Sequence, residues 1–109
     1  MSDFLASELT DDEKTPLARF QIIPVPLERT VSYGAGTQHG PHAIIAASSE
    51  LERTVAGAEP IAQGIYTQEA VDCTGPLGTV MDRIAERTQA AVTAGQMPVT
   101  LGGEHSLSY

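Results

Sequence analysis

The sequence predicts an α/β domain built on a largely parallel sheet. Short β-prone runs alternate with helical ones in the order strand, helix, strand, helix, strand. Glycines and prolines punctuate the joins between them. The final apolar run, in "PVTLGGEHSLSY", ends in two glycines followed by Glu104, His105 and Ser106. Polar side chains at the carboxyl end of a parallel strand sit where ligands bind in open α/β sheets.

Each element has its own signal. "ARFQIIPVP" reads as a strand from Arg19 to Ile23, ended by Pro24 and Pro26, which cannot donate to a central ladder. "LERTVSYGAGTQHG" reads as a loop turned by Gly34, Gly36 and Gly40. Pro41 then suits the first turn of a helix, where a backbone N–H is not needed. Ile44, Ala47, Ser48, Leu51 and Val55 follow at helical spacing on one face. The stretch Gly57 to Pro60 breaks that pattern, and Ile61, Ile65, Tyr66, Thr67 and Val71 make the next segment β-prone. The clearest helix places Leu77, Val80, Met81, Ile84, Thr88, Ala91 and Val92 at three-four spacing, with Pro76 at its start and Gly95 at its stop. "MPVTL" is the last strand. After Leu101 so few residues remain that a helix opening at His105 is cut off after about one turn, and the C-terminus reads as an interruption.

The 109 residues suffice for one small domain, and a hydrophobic fraction of 41% is compatible with a packed core. No apolar run reaches the roughly 20 residues that span a bilayer. The N-terminus lacks the basic-then-apolar order of a signal peptide. Cys73, the single cysteine, fits a reducing compartment. The expectation is a soluble, cytoplasmic protein. The net charge is -8, and residues 1–16 are expected to form an acidic tail, solvated or a mobile first helix, carrying Asp3, Glu8, Asp11, Asp12 and Glu13. The six Lys and Arg residues are scattered, so no basic stripe exists to neutralise phosphates, and nucleic acid is disfavoured as a partner.

Several motifs bear on chemistry. Gly34-x-Gly36, with Gly40 following, departs from the dinucleotide fingerprint in its spacing, and no strand directly precedes it. His39 and His42 flank a proline helix start, which does not put both on one helical face, and they read as surface loop residues rather than a zinc pair. Gly102 and Gly103 allow a sharp exit from the strand and close backbone approach. His105 is then a candidate metal ligand or general base, or a hydrogen-bonded residue in a first helical turn. Glu104 beside it would be a supporting carboxylate or a helix N-terminal acid. A nucleophilic Ser106 is disfavoured, because a serine adjacent to its own histidine rarely has working geometry and GxSxG is missing.

Two of these segments together resemble the arginase/agmatinase ureohydrolase family. "PVTLGGEHSLSY" resembles its first metal-binding motif, and "TVSYGAGTQHGPHAI" resembles an upstream segment in which GT-x-x-GP-x-A-I opens a helix. Both occur in the family's order, and "IIPVPLERTVSYG" is similar to the agmatinase branch. The resemblance implies the N-terminal part of an arginase-like three-layer α/β/α fold, with residues 17–109 as an incomplete portion of a ureohydrolase domain. It implies a pair of Mn²⁺ ions at the strand ends, which activate water for attack on a guanidinium carbon and release urea. His105 would be a terminal Mn²⁺ ligand, Glu104 would support it, and a guanidino small molecule such as agmatine would be the substrate. A full-length relative would be a homo-oligomer. The family's further ligand motifs, DxHxD and DxDxxDP, do not occur in this sequence. The partners of His105 are therefore expected beyond Tyr109, and the chain alone is expected to be inactive. The competing expectation is a non-catalytic truncated module or relic that acts only by association.

Overall fold

The computed structural model describes residues 3–5, 9–28, 36–48 and 63–103. Its centre is a three-stranded parallel sheet of β1 (Phe20–Val25), β2 (Ile65–Thr67) and β3 (Met97–Gly102), in the order β2-β1-β3. Helix α1 (Gly40–Ala47) lies between β1 and β2 in sequence, and α2 (Leu77–Thr93) between β2 and β3. The predicted α/β class and parallel sheet are what the chain adopts.

The strand order explains the layering. The chain steps from β1 to β2 on one side, then crosses back over β1 to reach β3. Right-handed crossovers, the general rule, put helices on opposite faces when the direction reverses. Burial agrees. On one face Ile23, Val25 and Leu27 pack with Val71, Val80 and Ile84 of the loop and α2, with Cys73, Leu77 and Met81 at the margin. On the other, Ile22 and Ile65 pack with Leu5 and Leu9, flanked by Phe4, Phe20, Val99 and Leu101. The α1 side joins this second face through Ser48, whose Oγ accepts the Leu5 N–H at 2.8 Å and donates to the Ile45 carbonyl at 2.6 Å.

Several expectations change. The first strand runs through Pro24 to Val25 although it is the central one. Even-numbered backbone groups of β1 face β2: Phe20 N–H donates to Gly64 and the Ile22 carbonyl accepts from Gln68. Pro24 belongs to this set, and the β1·β2 ladder stops at Ile22↔Thr67, before a donor at position 24 is called on. Pairing with β3 continues to Val25↔Gly102. Pro26 does end the strand, at a tight turn closed by Leu27 N–H on the Val25 carbonyl at 2.8 Å.

The expected face of α1 is also displaced. Pro41, Ile45 and Ser48 are buried, whereas Ile44 is 44% exposed. Pro41 fixes the helix start against the sheet, and its neighbour four residues on is Ile45. Leu51 and Val55 lie outside the described residues, as does Ile61. In α2 the buried side chains are Val80, Ile84 and Ala91, and Val92 at 55% exposure falls off the stripe.

The acidic tail is corrected most. Asp11, Asp12 and Glu13 do lie in a short 3-10 turn without buried residues, Asp11–Lys14. Leu5 and Leu9, however, are buried against the sheet, and Phe4 N–H donates to Thr67 Oγ1 at 2.9 Å. Covering the apolar face outweighs the solvation of the charges, because the leucines point inward and the carboxylates do not.

Candidate functional site

A reversal in strand order leaves a crevice at the carboxyl ends of the two strands that diverge, here β1 and β3. Three segments of the chain converge there: the exit of β1 at Val25–Glu28, the entrance to α1 at Gly36–Gly40, and the exit of β3 at Gly102–Gly103.

Glycine is required at two of these places by contact. Gly103 has φ +70, and an added Cβ would collide with the Val25 carbonyl oxygen and stand 3.0 Å from both the N and the O of Leu27. A Cβ on Gly40 would come within 2.9 Å of the Gly102 carbonyl oxygen. Both partners are backbone, which cannot swing aside like a side chain. The Gly102–Gly103 peptide is cis. The close backbone approach expected of the glycine pair is therefore present, and it joins the two segments that carry the family resemblance. Glu104, His105 and Ser106 follow directly, but lie outside the described residues.

Glu28 is the residue that sequence reasoning passed over. Its Oε1 accepts the backbone N–H of Gly36 and, at 3.4 Å, that of Gln38. A 3-10 turn, Thr37–His39, then feeds α1 at Gly40, with His39 N–H on the Gly36 carbonyl at 3.0 Å. A solitary glutamate in a loop has no spacing pattern. The one available hint was its place between a proline pair and a glycine-rich stretch.

His39 and His42 are both exposed. Among the described residues no three His, Cys, Asp or Glu side chains converge on a common point. The described residues do not by themselves fit a metal pair; they build the backbone frame that precedes His105. Among them, too, no helix is long and apolar enough to cross a membrane.

Away from this end, α2 holds the loop that follows β2. Arg83 donates to the carbonyls of Asp72 and Thr74, each at 2.8 Å, and Arg87 donates to that of Glu69. Asp72 accepts the Thr74 hydroxyl at 2.6 Å and the Thr74 N–H at 3.0 Å. Those two bonds, with a smaller contribution from the Arg83 charge, hold the Asp72 carboxyl below its ordinary value of 3.8.

Known proteins match over nearly the whole chain. The family model of the Arginase family matches residues 18–109. N(1)-aminopropylagmatine ureohydrolase of Thermus thermophilus is 36% identical over 95 residues, covering 84% of this chain and 32% of that protein. Agmatinase of Bacillus anthracis is 32% identical over 91 residues, covering 81% of this chain and 31% of its own length. In structure, the agmatine ureohydrolase of Thermoplasma volcanium superposes with a TM-score of 0.75 at 25% identity, over 95% of this chain and 38% of that one. The chain thus spans about a third of the length of the curated relatives it matches. With its parallel β2-β1-β3 sheet and its glycine-joined strand exits, the chain belongs to the arginase family.

Proposed function

We propose that residues 17–109 are the N-terminal portion of a manganese-dependent, agmatinase-like ureohydrolase that hydrolyses a guanidino substrate to an amine and urea. The observation that carries the reading is the meeting of Gly40 with the Gly102 carbonyl at the strand-order reversal. It brings the two family-like segments together at the end of the sheet where ligands bind. The relatives named for agmatine and aminopropylagmatine hydrolysis support a linear guanidino substrate, and a cytoplasmic role in polyamine metabolism is part of the same proposal.

Within this proposal the residues have separate tasks. Gly102 and Gly103 turn the chain out of β3, and His105 follows as one metal ligand, with Glu104 supporting it. The DxHxD and DxDxxDP motifs that would supply the remaining donors do not occur in this sequence, so on this reading those donors belong to residues beyond this chain. Bound manganese would supply water activation and polarisation of the guanidinium group. Affinity depends on the full ligand count, so the 109-residue chain alone is expected to bind the ion poorly and to be inactive.

The test begins with the coding DNA beyond the Tyr109 codon. A frame continuing into DxHxD supports the reading, and the complete protein should then release urea from agmatine or aminopropylagmatine with Mn²⁺. That activity should vanish in His105→Ala. A complete protein with all the ligand motifs and no urea release from either substrate or from arginine would sink the proposal.

A further inference from the structure

The Gly102–Gly103 turn is held between two walls. Leu27 stands on one side, against Gly103, and Gly40 on the other, against the Gly102 carbonyl. These walls come from two different parts of the chain: Leu27 follows β1, and Gly40 opens α1. Glu28 spans the interval. It is the next residue after Leu27, and its carboxylate oxygen takes the N–H of Gly36 and of Gln38, which lead through one 3-10 turn into Gly40.

We propose that Glu28 is a positioning residue, whose carboxylate fixes the spacing of the Leu27 and Gly40 walls and so sets the direction in which the chain leaves β3. The carboxylate acts as an acceptor of paired backbone N–H groups. An ionised acceptor strengthens such bonds relative to a neutral one, and a carboxylate near a helical N-terminus is favoured by the exposed donors there. The catalytic meaning of this role rests on the ureohydrolase reading above, whereas its geometric content does not.

The experiment separates the two. Residue-resolved amide hydrogen exchange is measured on this chain as wild type, Glu28→Ala, Glu28→Gln and Glu28→Asp. In Glu28→Ala the Gly36 and Gln38 amides are expected to exchange about tenfold faster, the scale of one lost hydrogen bond to a charged group. The Gly102 and Gly103 amides should speed up with them, while those in the centre of α2 stay unchanged. Glu28→Gln keeps an acceptor oxygen at the same reach and should restore most of the protection. If Glu28→Ala does not fold, Glu28→Asp, one methylene shorter, should show the same pattern in weaker form. Faster exchange at Gly36 and Gln38 with none at Gly102 and Gly103 would make Glu28 a local loop cap and overturn the proposal. A uniform rise that includes α2, or a Gln variant as loose as the Ala variant, would overturn it too. In the complete protein the same series is read by urea release, where Gln should again recover what Ala loses. If the wild type itself releases no urea, the ureohydrolase reading fails while the exchange result decides Glu28 on its own.

Discussion

The two faces of the sheet are covered in different ways. The α2 face is closed by a regular helix, whose Val80 and Ile84 meet Ile23, Val25 and Leu27. The opposite face owes much of its cover to the N-terminal segment, with Leu5 and Leu9 laid over Ile22 and Ile65. The first cover repeats every turn, so several residues share its burial. Among the described residues the second hangs on Leu5 and Leu9 and on long-range hydrogen bonds to Thr67 and Ser48, and Leu5 sits at φ +53, which costs about 1–2 kcal/mol for a non-glycine residue. A cover spread along a helical stripe and one gathered at a few side chains can both exclude water, but only the first is redundant.

That comparison can be tested in decreasing order of effect. Ile23 is fully buried at the centre of the α2 face, and Ile23→Ala should cost about 3–4 kcal/mol in urea denaturation, the range for a large cavity in a regular core. Leu5→Ala should cost less, about 2 kcal/mol, because the segment around the cavity collapses more easily. A loss at Leu5 equal to that at Ile23 would erase the distinction between the faces, and a loss near zero would return the segment to the solvent. Ser48→Ala removes the acceptor of the buried Leu5 N–H, with an expected cost of about 1–2 kcal/mol. A double variant with Leu5→Ala should cost less than the sum of the two, since both act on the same attachment.

The smallest effect concerns Asp72, at the margin of the α2 face. Its carboxyl is held below 3.8 by Thr74, so its contribution is present above that value and is lost as pH falls through the lower folded-state value. Asp72→Asn should therefore be slightly less stable than wild type at pH 7. Thermal melts along a pH series should show the gap closing only below about pH 3.8. A gap that closes near neutrality would point to another group.

The same contrast explains what the sequence could and could not disclose. Helix α2 was legible because its apolar residues recur at three-four spacing between Pro76 and Gly95. The parallel sheet followed from the alternation of elements. Leu5 and Leu9 were overlooked because five acids surround them, although Thr10-x-x-Glu13 is a capping-box pattern that signals local order. Thr10 N–H does donate to Glu13 Oε1 at 3.0 Å. The displaced face of α1 reflects a helix too short for periodicity to choose between Ile44 and Ile45. At the candidate site the glycines announced a close approach but not its partner, because the contact of Gly40 with Gly102 joins residues far apart in sequence. Glu28 acts through a tertiary hydrogen bond, which no pattern of residue types encodes.

Pro24 carries a consequence for register. Along β1 the rungs toward β2 advance two residues at a time, from Phe20 on Gly64 to Ile22 on Gln68. The next rung would need an N–H at position 24, facing the Gln68 carbonyl. Proline deletes it, and the following contact, Val71 N–H on the Pro24 carbonyl at 2.9 Å, comes one residue later than a continuing ladder would place it. That single-residue slip turns the Val71 side chain into the α2 core. A β-former such as valine at position 24 would look like an improvement by strand preference alone. It would instead offer the missing rung, draw residues 68–70 into line, and aim Val71 at the wrong side of the sheet. The proline works as a length gauge, telling the neighbouring strand where to stop.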